Sequence, residues 1–289
     1  MKISFSFILL FLTFFIKAQI SPKLFEPNTI SNGGVFGLTI SPDSKTALWV
    51  LSKGKRDTLT IMESVKENGK WTQPRVASFS SAHGEWKDID PIFSPDGKTV
   101  LFQSNRNTNR TSDRKDFDIW AVKLSNKGWS QPYRLEGNIN SDASESYASM
   151  TKDGTIYFMK ENDNKTGLSD IYYSILKDGK YQEPQNMGFP INTNERESNP
   201  YISPDGKYII YFSSDKSGFG EVDLYISFKR KDGWTTPKNL GGTINSKISE
   251  FCPFVHQKEK RLYFSRQEKE GDRFKENLYF IEFYSNKYK

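Results

Sequence analysis

Apolar residues along this chain come in short runs bounded by turn residues, and the runs recur at a fixed interval. Thr99 to Phe102 and Tyr208 to Phe212 are apolar without clean alternation, as expected of strands covered on both faces of a sheet. Each follows the same turn, "SPDGK", starting at Ser94 and Ser203. There the proline presets φ for the first corner, the aspartate suits the second, and a glycine such as Gly97 takes the positive φ that reverses the chain. Anchoring on the turn proline gives Pro42, Pro95 and Pro204, with Lys152 and Gln257 in the equivalent slots of two divergent copies. The steps are 53, 57, 52 and 53 residues, so five units follow one period.

Within each unit the order is constant. An apolar strand ("DPIF", "NPYI", "CPFV") enters the turn and a second strand ("TVLFQS", "TIYFMK", "YIIYFSS", "RLYFSR") leaves it. After a variable polar loop a third strand opens on a polar residue at Thr60, Asp118, Asp170, Asp223 or Asn277. Eleven residues after each of these opening residues stands a large aromatic residue: Trp71, Trp129, Tyr181, Trp234 and Tyr288 mark the approach to a fourth strand. Four-stranded sheets covered on both faces and repeated near every fifty residues predict an all-β fold, a five-bladed β-propeller with four-stranded antiparallel blades. The last unit stops after Tyr288, and the segment "QISPKLFEPNTIS" near the start resembles what it lacks. The N-terminal segment is therefore expected to pair in the last blade and close the ring. The expected organisation is a signal peptide at 1–18 and one propeller domain at 19–289, with repeats at about 33–84, 85–141, 142–193, 194–246, and 247–289 plus 19–32.

The pattern "SPDGK...YFSS...G...D-[IL]-Y", clearest from Ser203 to Tyr225, resembles the PD40 (WD40-like, TolB-type) propeller repeats of exported Bacteroidetes proteins. The resemblance covers nearly all of the chain after the leader. It implies a propeller, residence in the cell envelope, and use as an interaction module.

Composition refines this picture. Lys2, an apolar run from Ile3 to Ile16 and Lys17-Ala18-Gln19 read as an export signal, too short to span a bilayer comfortably. No second long apolar segment follows, so the mature chain is expected without a transmembrane segment, in the periplasm, secreted, or associated with the outer membrane. The formal charge of +6 falls to +4 when Lys2 and Lys17 leave with the signal, a mild and dispersed basicity that points to no nucleic acid. Cys252 is the only cysteine, which excludes an intrachain disulfide. With two histidines, His83 and His256, and neither H-x-H nor H-E-x-x-H spacing, no metal site is expected, and no cofactor motif is present.

Candidate chemistry lies on the face carrying the long loops, since a rigid scaffold positions loops for function. Seven residues before each turn position stand Asp88, Glu145, Glu197 and Glu250, with Val35 in the first unit; five residues earlier stand His83, Asn140, Asn192 and Asn245. If the innermost strands line the channel, these make a polar collar at its mouth, with Trp86 and Tyr147 as stacking surfaces for a cation, a basic partner or sugar hydroxyls. The alternative is structural: each carboxylate accepts backbone N–H bonds and fixes blade geometry, a role that repetition in equivalent slots favours. Asp118, Asp170 and Asp223 are expected to bind turn N–H groups, and Cys252 to be a small buried hydrophobe. Arg106, Arg110, Arg114 and Lys115 form a basic loop patch. The expected function is a monomeric, non-enzymatic module binding an envelope protein or glycan. The alternative is a glycosidase-like enzyme drawing its acid and base from Asp88, Asp90, Glu145, Glu197 and Glu250.

Overall fold

The computed structural model describes residues 21–106, 116–162 and 168–289, so the expected signal segment and Arg110, Arg114 and Lys115 of the basic patch lie outside the described residues. Five antiparallel sheets succeed one another along the chain, one per sequence period. Their inner strands are Val35–Ile40, Asp88–Phe93, Glu145–Met150, Glu197–Ile202 and Ser249–His256. The protein is an all-β, five-bladed propeller. No helix among the described residues is long and apolar enough to cross a membrane.

Each inner strand pairs through the tight turn with a second strand, and that with a third. The fourth position is held by short strands: Arg75–Val76, Tyr133–Arg134, Gln185–Asn186 and Lys238–Asn239. In the fifth blade this position is taken by Lys23–Leu24 from the start of the chain, with Lys23 opposite Phe280 and Leu24 opposite Tyr279. First and fifth blades also meet near the axis, where the Gly37 amide donates to Ser265 Oγ at 3.0 Å.

Apolar layers between blades hold the ring together. Phe102 and Val122 of the second blade pack with Leu48 and Ile61 of the first; Ile156 and Phe158 of the third pack with Leu101 and Ile119 of the second. The recurrent aromatic residues serve these layers. Trp129 stands edge-on to Phe79 and donates from Nε1 to Glu63 Oε1 across the blade boundary at 2.9 Å, and Trp234 stands edge-on to Tyr157. The aromatic positions of the first, second and fourth units lie in two-residue strands extending the third strand, just before the outer strand.

One feature recurs at the centre. In every blade the pairing of inner and second strands slips register, between Phe36 and Thr39, Ile89 and Ile92, Ser146 and Ser149, Ser198 and Tyr201, and Phe251 and Phe254. The residue in the slip has positive φ each time: Gly37, Asp90, Tyr147, Asn199 and Cys252. This is a β-bulge, which bends a strand and re-aims a side chain. At Gly37, with φ of 66°, an added Cβ would come within 3.1 Å of Asp90 Oδ1, a tight approach to that side chain.

Candidate functional site

The four carboxylates of the expected collar do not face the channel mouth. Asp88, Glu145, Glu197 and Glu250 are fully buried in the seams between blades, and their oxygens are occupied. Asp88 accepts from the Ser81 amide at 2.8 Å, Ser80 Oγ at 3.0 Å and Arg106 Nη2 at 2.8 Å. Glu145 accepts from the amide and hydroxyl of Ser141. Glu197 accepts from the Thr193 amide at 3.0 Å, Thr193 Oγ1 at 2.7 Å and Ser213 Oγ at 3.1 Å. Glu250 accepts from the Ser246 amide at 2.9 Å and from Arg266 Nε at 2.9 Å. A hydroxyl residue four before the glutamate closes the connector in the last three units, a local cap that satisfies an otherwise unpaired amide. Burial raises Glu145 to about 7 and shifts Glu197 and Glu250 upward as well.

The asparagines are latches too. The Oδ1 atoms of Asn140, Asn192 and Asn245 accept from the amides of Ile119, Ile171 and Leu224 at 2.7, 2.8 and 2.9 Å, while each Nδ2 donates to the carbonyl of the same residue. His83 is exposed and Trp86 half-buried in a connector, neither beside the mouth cavity. Tyr147 is fully buried and donates to the Pro253 carbonyl at 2.8 Å, joining third and fifth blades near the axis, so it offers no stacking face. Asp223 binds loop amides as expected, at Phe219 and Gly220, but Asp118 pairs with Arg134 and Asp170 accepts from Asn186.

What does face the mouth is the bulge. A cavity of about 330 Å³ opens among the loops, with Asp90, Asn199 and Cys252 in its lining. Cys252 Sγ donates to Asp90 Oδ1 at 3.4 Å, and its amide donates to Asn199 Oδ1 at 3.1 Å, so three blades meet through three different side chains. Around them stand Arg56, Arg196 and Glu221, with Phe36, Phe212 and Phe251 as apolar walls. Arg56 is held in place: its guanidinium lies over Phe36 and Phe274 at 4.9 and 5.6 Å and pairs with the buried Glu276. Among the described residues no group of three or more His, Cys, Asp or Glu side chains is placed to hold a metal ion.

Asp90 is raised to about 6 by burial, against the lowering pull of the Cys252 thiol and the Arg56 charge and with a further push from Glu276. Burial and the Asp90 charge drive the Cys252 thiol well up, so it stays protonated and weakly nucleophilic. A carboxyl raised on folding contributes stability that is fully present below its unfolded value, near 3.8, and lost as pH rises through about 6. A shift of about two units corresponds to about 3 kcal/mol. Asp90→Asn, tolerated by a backbone that already carries Asn199 in the equivalent slot, should therefore gain on the wild type by up to about 3 kcal/mol between pH 4 and pH 8. Urea unfolding across that range reads the difference; parallel pH profiles would contradict the burial of the Asp90 charge.

From the sequence alone Asp90 stands out only as a possible acid or base, and the slot it shares with Gly37, Tyr147, Asn199 and Cys252 is not evident. Its signal is nonetheless present: Pro91, Pro200 and Pro253 sit in the middle of inner strands, where proline is found at bulges or edges.

No family model matches the chain, and no curated protein matches it. Among solved structures it is similar to the α-L-arabinofuranosidase of Lactobacillus brevis, at 13% identity and a TM-score of 0.53 over 88% of this chain and 91% of that one. It is also similar to the α-L-arabinofuranosidase PaAbf62A of Podospora anserina, at 12% identity and a TM-score of 0.52 over 91% and 93%. The puromycin-hydrolysing peptidase of Mycobacterium tuberculosis matches at 11% identity and a TM-score of 0.46 over 81% of this chain, which spans 34% of that longer chain. At these identities the likeness to the two arabinofuranosidases shows a shared propeller fold and nothing of substrate.

Proposed function

We infer that the protein is an exported, non-enzymatic binding module that holds a partner of the cell envelope at the mouth of its loop face. The observation that carries this reading is the division of labour among polar residues. Those repeated in equivalent slots are buried as struts, whereas the unlike residues of the bulge and loops converge on one cavity. A cavity of about 330 Å³ stands at the small end of ligand pockets, favouring a saccharide unit over a broad protein contact. Hydroxyl and amide groups of Ser198, Asn199, Ser249 and Gln267 beside phenylalanine walls suit a ligand with polar edges and apolar faces.

A second reading as a glycosidase draws on one observation. The cavity holds two carboxylates in unlike environments, Asp90 buried and raised to about 6 and Glu221 exposed at the rim. Unlike environments separate acid from base. A panel of plant and envelope oligosaccharides, scored for both binding and product formation, separates the readings. Binding without turnover is expected; turnover lost in Asp90→Asn and Glu221→Gln would overturn the non-enzymatic reading.

A further inference from the structure

Two cationic side chains converge on the same mouth. Arg56 enters from the loop between second and third strands of the first blade, Arg196 from the connector before the inner strand of the fourth, and both line the cavity. Partial desolvation lowers the Arg196 guanidinium, Glu161 supports its charge, and the nearby Arg56 charge disfavours it. The guanidinium of Arg196 lies over the Phe212 ring at 5.2 Å and makes no ion pair or hydrogen bond among the described residues. Arg56 has its carboxylate partner in Glu276, yet its Nε is buried without a hydrogen-bond partner. A buried guanidinium N–H left unmade is costly, and like charges facing one cavity favour an anion between them. The phenylalanines that carry both guanidinium planes fix them before any ligand arrives.

Building on the saccharide reading above, we propose that the mouth recognises a sugar unit bearing an anionic group, a uronate carboxylate or a sugar sulfate, which bridges Arg56 and Arg196. The ring of the sugar then lies towards Phe251 and Asn199, with Asp90 beneath as a hydrogen-bonding partner for a hydroxyl. Arg196 supplies a charge-assisted hydrogen bond that no group among the described residues claims. Its exposed position allows replacement without disturbing a blade.

Titration calorimetry with the full mature chain tests this, using an oligogalacturonate, a sulfated oligosaccharide of similar length, and a neutral xylo-oligosaccharide. At least one anionic probe should bind at least tenfold more tightly than the neutral one. Arg196→Ala should reduce that affinity about tenfold or more, Arg196→Lys should restore part of it, and Lys258→Ala on the opposite face should leave it unchanged. Preference for the carboxylated or the sulfated probe identifies which anion the pair reads. Equal binding of neutral and anionic probes, or anionic binding indifferent to Arg196→Ala, overturns the proposal while leaving a saccharide module standing. Failure of all three probes to bind overturns both.

Discussion

Phe25→Ala should destabilise the protein by about 4 kcal/mol, the usual scale for emptying the space of a buried phenylalanine, although only a two-residue strand anchors this segment to the fifth blade. The phenylalanine is 5% exposed and bridges two blades: its ring stands edge-on to Tyr263 of the fifth at 5.7 Å and to Trp71 of the first at 6.2 Å. Its amide donates to the Leu278 carbonyl at 2.8 Å, and its own carbonyl accepts from Ser31 Oγ at 2.6 Å. The side chain thus links the fifth blade's outer edge to the first blade. Denaturant unfolding measures the loss, and a change below about 1 kcal/mol would mean that this segment contributes little to the ring.

Glu250→Gln should lower the thermal midpoint by roughly 10 °C, whereas Glu145→Gln should leave it within roughly 3 °C, though the two carboxylates fill equivalent slots. The difference lies in their partners. Glu250 is the counter-charge of Arg266, a side chain 19% exposed that stacks on Tyr279 at 4.9 Å and donates to the Ile244 carbonyl at 2.9 Å. Neutralising the glutamate leaves a largely buried guanidinium without its anion, a loss of about 3 kcal/mol. Glu145 has no arginine partner among the described residues; burial has already raised it to about 7, and Lys160 acts on it only through space. An amide there can still accept from the Ser141 amide and bond its hydroxyl. Melting curves at pH 7 decide the matter, and equal losses in the two variants would contradict this account of the seams.

The repeat, its five copies and the order of strands were legible because turn chemistry is local: Pro95, Asp96 and Gly97 specify a reversal without reference to anything distant. The orientation of the inner strands was not. The collar followed from reading the innermost strands as channel-lining; Asp88 and Asp90 are two residues apart, and in a regular strand they would share a face. The bulge at Asp90 changes that relation, leaving Asp88 in the seam with Ser80 and Arg106 while Asp90 turns to the axis. A register slip re-aims side chains without altering the hydrophobic pattern from which the strand was recognised. Arg56 and Arg196 were harder still, since they lie far apart in sequence within unlike segments and only closure of the ring brings them to one cavity.

Under the proposed function, recognition takes place at the loop-face mouth and not at the seams or the opposite face. Hydrogen exchange of the backbone amides, with and without a saturating oligogalacturonate or sulfated oligosaccharide, tests it most directly. Slowed exchange is expected in the loops around Arg56, Arg196 and Glu221. Protection confined to the tight turns at Pro42, Pro95 and Pro204, or spread along the blade seams, would contradict it.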